Sequence, residues 1–418
     1  MRIVICGASG FVGSALTRHL RQRGHTVIAA GRRPAAEGIA IDFSAPDPAR
    51  WAEALRGSDL LINCVGILVE SRDQSFVDLH THGPQQLFAA CLQAGVGRVM
   101  QISAGGDGEC PLKMPYFTSK RAADQALQAL PLAADIVHPT LIYGTNGGSA
   151  RLFRLLASLP LLLLPAGGQQ RLQAIHLDDF CAAVVALIEQ PAQSKRSVQL
   201  TGQGSLTLAE LLAHYRQSMG FAPASSLCLP AWLMQGLAWL GGWLPGSLLT
   251  PDSWRMLQNA RPLARDDSPA LLGHAPRPVS EFITPAEAPA LRQAALATWR
   301  GPLLRSVLAA VWLITAWLSL FVHPQADSLA MLARVGLHGG LAQAALIGAS
   351  LLDLVFGLLT LLTAKRQLWL AQMAVIVGYS AIIALCLPEF LSHPFAPIVK
   401  NLPILALLLL LYAEETQA

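Results

Sequence analysis

The stretch Arg2-Ile-Val-Ile-Cys6, followed by Gly7-Ala-Ser-Gly10-Phe-Val-Gly13, decides the fold of this chain. A short apolar run that ends in closely spaced glycines predicts a buried strand joined by a tight turn to a helix. Gly7 permits the turn, Gly10 lets backbone N–H groups approach a pyrophosphate, and Gly13 allows the helix to pack closely on the strand. The alternative is a glycine-rich turn with a purely structural role. We predict that a dinucleotide contacts Gly7, Ser9, Gly10, Phe11, Val12 and Gly13.

The same alternation of apolar runs and helical segments continues through the first half of the chain. Helical spacing follows the glycine turn at residues 14–22 and recurs at residues 85–94. Apolar runs predict further strands at residues 25–30, 60–65, 98–103 and 134–138. Strands that alternate with helices pair in parallel, so the predicted fold class is α/β, a doubly wound parallel sheet of the Rossmann-like type.

The end of the second predicted strand favours one form of the cofactor. Ala30-Gly-Arg-Arg33 has no acidic residue to hold a ribose 2′-hydroxyl, whereas the guanidinium groups of Arg32 and Arg33 can pair with a 2′-phosphate. NADP(H) is therefore favoured over NAD(H), the alternative being that both arginines lie in a solvated loop. Asp42 follows a third apolar segment and is expected near the adenine ring.

A tyrosine and a lysine one helical turn apart indicate proton transfer. In Tyr116-Phe-Thr-Ser-Lys120, the phenol and the ammonium group can converge on one ligand. The lysine charge is expected to lower the tyrosine pKa, so that the phenol exchanges a proton with a substrate oxygen while hydride moves to or from nicotinamide. Ser103 ends the preceding predicted strand and can hold the same oxygen. We predict that Ser103, Tyr116 and Lys120 are catalytic, the alternative being an incidental pair.

These residues together resemble the short-chain dehydrogenase/reductase superfamily. The resemblance is carried by the glycine turn, by Ser103, by Tyr116-x-x-x-Lys120, and by the segments Asn63-Cys-Val-Gly66 and His138-Pro-Thr-Leu-Ile-Tyr-Gly144. Its atypical branch, which includes the NADPH-binding accessory subunit of mitochondrial complex I and bacterial relatives, is the most similar. The signatures of that branch are Ile62-Asn-Cys-Val-Gly-Ile-Leu68, Leu79-His80, Gly83-Pro84 and Ala174-Ile-His-Leu-Asp-Asp179.

The resemblance covers about residues 1 to 290 and implies roles for individual side chains. It implies that Tyr116 is the proton donor, that Lys120 anchors the cofactor ribose, and that Ser103 positions the substrate. It further implies that the cofactor is lined by Asn63, Val65, Gly66, Lys120 and Pro139. Two positions depart from the family pattern: His138 stands where an arginine is usual, and Ala104 where a second serine is common.

Two apolar segments follow the predicted cofactor domain. Residues 152–165 lie where related enzymes build the substrate pocket, which favours a lipophilic substrate, although a buried helix fits equally well. Residues 217–251 carry no formal charge, and residues 227–249 contain three tryptophans among leucines. This segment is expected either at the membrane interface or packed against the cofactor domain. The proline-rich residues 261–300 are expected to form a linker.

Four apolar stretches end the chain, at residues 304–322, 337–363, 368–391 and 402–412. The first three approach the ~20 residues that cross a bilayer, and the fourth needs residues 397–401 to do so. The flanking positive charges place both termini on the cytoplasmic side of the inner membrane, and the basic residues at that side are Arg300, Arg305, Lys365 and Arg366. The region resembles the DoxX-like family of four-helix membrane proteins, notably at Pro394-Phe-Ala-Pro-Ile-Val-Lys-Asn-Leu-Pro403.

One carboxylate lies within the predicted spans. Asp353 falls in the second of them, and a carboxylate within a membrane is by default a functional candidate. The alternative is that Asp353 pairs with His338 or with a backbone group and only fixes the packing.

Composition restricts the remaining possibilities. The chain has 418 residues, of which 53% are hydrophobic and 13% charged, well below the ~25% charged residues of a soluble domain. A net charge of +4 argues against a nucleic-acid partner, and seven cysteines without a C-x-x-C pair argue against a disulfide framework or a zinc site. No signal peptide is expected at the N-terminus.

Taken together, these patterns predict three regions and one activity. The regions are a Rossmann-like domain at residues 1–205, a substrate-side subdomain and linker at residues 206–302, and an all-α four-helix transmembrane domain at residues 303–418. The expected activity is that of a membrane-anchored NADP(H)-dependent oxidoreductase for a lipophilic carbonyl, alcohol or quinone-like compound. The alternatives are a non-catalytic NADPH-binding protein of a membrane complex and a nucleotide-sugar epimerase. Membrane lipid is the other expected partner.

Overall fold

The computed structural model describes residues 1–34, 36–105, 114–243, 247, 249–394 and 396–415. The chain divides into two compact units, Met1–Ala295 and Leu296–Ala418. The predicted division at residue 205 therefore lies inside the first unit.

The first unit contains a seven-stranded sheet. The strands of the first unit, in this sheet and beside it, are β1 (Arg2–Cys6), β2 (Thr26–Gly31), β3 (Ile39–Ala40), β4 (Leu60–Asn63), β5 (Arg98–Ile102), β6 (Ala133–Pro139), β7 (Leu141–Tyr143), β8 (Leu162–Pro165), β9 (Arg171–Leu172), β10 (Ala174–His176), β11 (Lys195–Leu200), β12 (Leu206–Thr207) and β13 (Ser226–Leu229). The seven strands of the sheet follow the order β11-β6-β5-β4-β1-β2-β3, and each pair of neighbours is parallel, which confirms the predicted fold class. The chain leaves β1 toward β2 on one side and later returns to β4 on the other, which opens a crevice at the carboxyl ends of β1 and β4.

Helices cover both faces of this sheet. One face carries α1 (Phe11–Gln22) and α6 (Leu177–Glu189), and the other carries α2 (Pro48–Leu55), α3 (Gly83–Ala94) and α4 (Pro115–Ala129). The other helices that begin in the first unit are α5 (Gly148–Ser158), α7 (Leu208–Ser218), α8 (Ala231–Gly241), α9 (Pro251–Gln258), α10 (Ser268–Leu272) and α11 (Ala288–Trp317). Ile3 and Ile5 of β1 pack with α1 and α6, whereas Val4 and Cys6 pack with α2, α3 and α4. Alternate side chains of a strand point to opposite faces, so the continuous apolar run of β1 serves two cores.

The proline-rich segment at residues 261–300 packs onto the first unit instead of forming the expected linker. Phe282 and Ile283 are buried in an apolar cluster with α5 and α7. Arg277 forms an ion pair with the buried carboxylate of Asp179, with Nη2 2.8 Å from Oδ1. The hydroxyl of Ser268, also buried, donates to the Thr201 carbonyl at 2.9 Å. These apolar and polar contacts tie the segment to the core.

Helix α8 and the turn after it expose large aromatic side chains. Trp232 is 75% exposed, and Trp239 and Trp243 are 55% and 74% exposed. Their neighbour Leu240 is exposed as well, whereas Met234 and Ala238 pack against α9. Helix α8 therefore packs with one side and leaves an apolar surface on the other. Residues 244–246 and 248 of the predicted apolar segment, including Pro245, lie outside the described residues.

The second unit is helical. Helix α11 continues past the unit boundary and is followed by a π-helical turn at Leu318–Val322, and the later helices are α12 (Gln325–Arg334), α13 (Gly339–Leu362), α14 (Arg366–Cys386) and α15 (Asn401–Glu414). Among the described residues, three helical segments are long and apolar enough to span a membrane: Ala288–Val322, Gly339–Leu362 and Arg366–Cys386. The fourth predicted span corresponds to the shorter apolar helix α15. The last residues, 416–418, are not described.

Polarity in the second unit is inverted relative to a soluble protein. Phe321, Leu362 and Leu385 are 75%, 78% and 82% exposed. Thr360 and Gln372 are buried, and the Gln372 amide joins three helices by accepting from Trp312 Nε1 at 2.8 Å and donating to Thr360 Oγ1 at 2.9 Å. Exposed leucines around a hydrogen-bonded polar interior are the expected arrangement in lipid, where polar groups must find partners within the protein.

The buried carboxylate of Asp353 lies on α13 within this interior. His338 immediately precedes the first residue of the same helix. It lies fifteen positions before Asp353, which corresponds to about 22 Å along a helix axis. The expected alternative of an Asp353–His338 pair is therefore excluded by distance. Asp353 Oδ1 has no hydrogen-bond partner among the described residues.

Candidate active site

The glycine turn adopts the geometry that a dinucleotide requires. Gly7 has a φ of +78°, and a Cβ there would meet the Val65 nitrogen at 3.2 Å. A Cβ at Gly13 would overlap the Gly7 carbonyl oxygen, so α1 packs against the turn at a distance that only glycine allows. Gly10 precedes α1 in extended conformation without a side-chain cap, which leaves the first N–H groups of the helix available to phosphate oxygens.

The other turn residues have distinct environments. Ser9 and Gly10 are exposed, whereas Phe11 and Val12 are half-buried. The Phe11 ring packs against the loop after β7, because a Cβ at Gly144 would lie 2.7 Å from its Cε2 atom. Phe11 is thus a packing residue between the glycine turn and that loop.

The side chains predicted at the adenosine end lie after β2 and β3. Arg32 and Arg33 are exposed directly after β2. When the Gln74 amide oxygen faces Arg32, it accepts from Nη2 at 2.9 Å. Asp42 Oδ1 accepts from the Ser44 N–H at 2.9 Å and so fixes the turn after β3.

Asn63 and its neighbours shape the carboxyl end of β4. The Asn63 amide is fully buried, donates to Gln101 Oε1 at 2.8 Å and accepts from the Val65 N–H at 3.1 Å. Gly66 is exposed, and a Cβ there would lie 2.9 Å from Lys120 Nζ. Asn63 therefore acts through the backbone, by turning the chain so that Val65 and Gly66 face Lys120.

Lys120 joins the ends of two central strands. Its ammonium donates to the Val65 carbonyl at 3.1 Å and to the Ile102 carbonyl at 3.2 Å. The side chain is 5% exposed, and burial lowers the pKa of Lys120 to about 8. The lysine therefore titrates near physiological pH at the crevice where the strand order reverses.

Tyr116 lies one turn before Lys120 on α4. Its ring meets those of Phe76, His80 and Phe117 edge-on, with centroids 5.9, 5.5 and 5.1 Å apart. Burial raises the pKa of Tyr116 to about 12. This direction is opposite to the expected lowering by Lys120, because desolvation of the phenolate outweighs the attraction of an ammonium group that is bound to backbone carbonyls.

Ser103 faces a partner that the sequence analysis missed. Its hydroxyl donates to Asp124 Oδ2 at 2.5 Å, and both side chains are buried. Ser103 follows β5, and its N–H donates to the Val137 carbonyl of β6 at 2.8 Å. Pro139 ends β6, is buried, and accepts from the Gly105 N–H at 2.8 Å. The predicted serine is at the expected edge of the sheet with its hydroxyl bound to a carboxylate.

His80 is a second residue that the sequence analysis did not place in the site. Its Nε2 accepts from the Ile67 N–H at 3.0 Å, its Nδ1 lies 3.0 Å from Ser119 Oγ, and the ring is fully buried. Burial and the charge of Lys120 lower the pKa of His80 to about 3, so the imidazole is neutral. His80 thus supports Tyr116 and the Gly66 loop. The signal was the Leu79-His80 signature, which the sequence pattern could not place in space.

The structure brings most of the predicted residues to one edge of the sheet. The glycine turn, Gly66 and Ser103 follow the carboxyl ends of β1, β4 and β5. Lys120 lies on the face of α4 that covers these strand ends. Backbone N–H groups for a pyrophosphate, a lysine and a tyrosine one turn apart fit a nicotinamide dinucleotide. These groups can bind the cofactor and hold or move a proton at the Tyr116 hydroxyl.

Comparisons with known families divide the chain in the same way as the fold. Residues 3–200 match the NAD dependent epimerase/dehydratase family, and residues 309–409 match the DoxX-like family. Both resemblances predicted from the sequence are confirmed.

Several characterised proteins are similar to the first unit. The 3-diazoavenalumate denitrifying reductase of a Streptomyces species is 28% identical over 66% of this chain and 96% of its own length. The mitochondrial NADH-ubiquinone oxidoreductase 40 kDa subunit of Neurospora crassa is 24% identical, over 50% of this chain and 57% of that protein. The ceramide reductase of Caulobacter vibrioides is 27% identical, over 53% of this chain and 71% of that protein.

Solved structures share the fold of the first unit. A nucleoside-diphosphate-sugar epimerase from Staphylococcus aureus superimposes with a TM-score of 0.55 at 18% identity, covering 68% of this chain and 99% of that one. MoeE5, solved with UDP-glucuronic acid and NAD, gives a TM-score of 0.52 at 19% identity, covering 69% and 98%. The chain therefore combines a Rossmann-like unit, in which residues 3–200 match the NAD dependent epimerase/dehydratase family, with a C-terminal region in which residues 309–409 match the DoxX-like family.

Proposed function

We propose that this protein is a membrane-anchored, NADP(H)-dependent oxidoreductase. Its proposed substrate is a hydrophobic carbonyl compound, alcohol or quinone-like compound at the inner face of the cytoplasmic membrane. The observation that carries the proposal is the position of Lys120, bound to the carboxyl ends of β4 and β5 with Tyr116 one turn away. The names of two relatives, a denitrifying reductase and a ceramide reductase, support a reductase.

The chemical step divides between cofactor and protein. The nicotinamide supplies or accepts the hydride. Tyr116 donates the proton to the substrate oxygen in the reductive direction, and Lys120 holds the cofactor ribose and the positive charge near the phenol. The pKa of about 12 keeps Tyr116 protonated before reaction, which suits a general acid.

The preference for NADP(H) rests on Arg32 and Arg33. Both follow β2 and are exposed, so they can reach a 2′-phosphate without crossing the protein. The strand end has no carboxylate that would repel that phosphate.

The lipophilic character of the substrate is supported by one surface. Helix α8 and the turn after it expose Trp232, Trp239 and Trp243, and tryptophan is favoured at the headgroup boundary of a bilayer. We propose that this surface contacts membrane lipid.

The test is mass spectrometry of small molecules and lipids retained by the full chain in detergent, with and without NADPH. We expect a retained lipophilic compound that gains two hydrogen atoms when NADPH is added. The oxidoreductase proposal fails if the protein binds NADPH but reduces neither a retained compound nor any component of an added lipid extract.

Two other functions have specific support. A non-catalytic NADPH-binding role in a membrane complex is supported by the similarity to the NADH-ubiquinone oxidoreductase subunit and by the bond between Ser103 and Asp124. A tightly retained cofactor that does not exchange with added NADPH would favour it. A nucleotide-sugar epimerase is compatible with the family match, and saturable UDP-sugar binding would favour it.

A further inference from the structure

A third charged side chain follows Tyr116 and Lys120 along α4. Residues 116, 120 and 124 are spaced by four positions and therefore share one helical face. Asp124 is 6% exposed, and its Oδ2 accepts from Ser103 Oγ at 2.5 Å. This distance is that of a charge-assisted hydrogen bond. The face of α4 toward the sheet thus carries a phenol, an ammonium group and a carboxylate in a row.

Asp124 offsets part of the effect of burial on Lys120. Burial disfavours the charged form of Lys120, and the carboxylate of Asp124 opposes this effect by raising the lysine pKa. Other titratable groups near Lys120 are Tyr116 one turn earlier on α4, the Cys64 thiol and the neutral His80. A carboxylate one turn away is therefore a counter-charge for the lysine inside the protein.

A small cavity beside Lys120 and Asp124 is lined by further titratable groups. It is lined by Ser103, Lys120, Asp124, Arg121 and His138, together with Ala104 and Phe117. His138 Nδ1 lies 3.2 Å from the Ala104 carbonyl oxygen, which fixes its ring at the cavity wall. Among the described residues that line this cavity, Arg121 on α4 and His138 on β6 are the titratable side chains besides Lys120 and Asp124.

We propose that Asp124 is a positioning residue, which keeps Lys120 charged in the cofactor site and holds the Ser103 hydroxyl by accepting its hydrogen bond. The proposal rests on the proposed function, in which Lys120 anchors the cofactor. It assigns Ser103 to the support of Asp124, whereas the family resemblance assigns it to the substrate.

The test is the pH dependence of NADPH affinity, measured by fluorescence titration of the full chain in detergent. Affinity should fall as pH rises through the Lys120 pKa, because the neutral amine no longer attracts the cofactor. Asp124→Asn should move this midpoint to lower pH by about one unit. Ser103→Ala should leave the midpoint in place, because the carboxylate remains.

A double variant keeps the test independent of folding. Asp124→Asn leaves the Ser103 hydroxyl with an altered partner, whereas Ser103→Ala with Asp124→Ala removes both members of this hydrogen bond, so that neither is left without the other. The double variant should show the same midpoint shift as Asp124→Asn. An unmoved midpoint in a folded variant without the carboxylate overturns the proposal, as does an equal shift in Ser103→Ala.

Lys120→Ala separates this proposal from the proposed function. We expect that it removes the pH step altogether. If the step persists, Lys120 does not hold the cofactor, and both proposals fail. If the step requires Lys120 but does not respond to loss of Asp124, only the role of Asp124 is overturned.

Discussion

Single side chains in this site obtain their chemistry from burial. The pKa of Lys120 falls to about 8 and that of Tyr116 rises to about 12, so the two values lie farther apart than those of free lysine and tyrosine, which are nearly equal. Both shifts have desolvation as their largest cause, which disfavours ammonium and phenolate alike. The consequence is a tyrosine that remains a proton donor and a lysine whose charge depends on its surroundings.

Removing the Tyr116 hydroxyl tests the catalytic role. Tyr116→Phe keeps the ring that packs on Phe76 and His80 but removes the proton donor. We expect turnover to fall by about 10² to 10⁴, with NADPH affinity unchanged. The measurements are the rate with the substrate identified by mass spectrometry and a fluorescence titration of NADPH. If the phenylalanine variant fully rescues a strain that lacks this protein, the structural NADPH-binding role replaces the enzymatic one.

Cofactor preference is tested at Arg32 and Arg33. The original protein should bind NADPH about tenfold more tightly than NADH, through charge-assisted contacts to the 2′-phosphate. Changing both arginines to serine should bring the two affinities together, by loss of NADPH binding alone. Arg50, an exposed arginine on α2, provides the control Arg50→Ser. Equal affinities of the original protein for the two cofactors would contradict the preference.

At the scale of elements, α8 differs from the helices that cover the sheet. Helices α1 and α6 place their apolar residues against β-strands, whereas α8 and the turn after it leave three tryptophans exposed. The rings of Trp239 and Trp243 lie 5.1 Å apart, so they form one continuous aromatic surface. Such a surface in a protein with membrane spans is expected to contact lipid.

Quenching by brominated lipids tests this contact. Replacing Trp232, Trp239 and Trp243 by phenylalanine should reduce the fraction of tryptophan fluorescence that brominated lipids quench in the reconstituted full chain. Trp51 is buried in the first unit, so the control Trp51→Phe should not reduce the quenched fraction. An undiminished quenched fraction in the triple variant would mean that α8 does not contact the bilayer.

At the scale of the whole molecule, basic side chains tie the helices of the second unit together. Arg305, within α11, donates from Nε to the Thr360 carbonyl at 2.9 Å, and the Arg366 guanidinium, at the start of α14, lies 5.0 Å from the centre of the Tyr412 ring. Arg334, at the end of α12, pairs with Glu389. The flanking charges predict that Arg305 and Arg366 face the cytoplasm, and this orientation with its four passes stays a prediction.

Cysteine labelling tests this topology. In a background with Cys228 and Cys386 replaced by serine, cysteines at the exposed positions Gln325 and Ser392 should react with a membrane-impermeant reagent added to intact cells. A cysteine at Gln367, also exposed, should react only after the cells are opened. Labelling of the cysteine at position 367 in intact cells would mean that the predicted orientation or the predicted number of passes is wrong.

Local patterns determined the architecture of both units. Strand β1 has the predicted bounds, and the glycine turn has the predicted roles for Gly7 and Gly13, because strand burial and backbone clearance depend on neighbouring residues. The long apolar helices of the second unit follow equally from run length. For helix α4, the spacing of Tyr116 and Lys120 placed both side chains on one face.

The tertiary structure alone decided what those side chains contact. Asp124 comes to the site from a position that carries no motif, and His80 comes from a signature whose place in space the sequence does not give. The bond from Ser103 to Asp124 joins residues 21 positions apart. The segment at residues 261–300 has the composition of a linker, yet Phe282 packs in the core and Arg277 pairs with Asp179. The direction of the Tyr116 pKa likewise depends on burial. Sequence spacing fixes which residues share a helix or strand, whereas desolvation and pairing arise only when distant segments pack together.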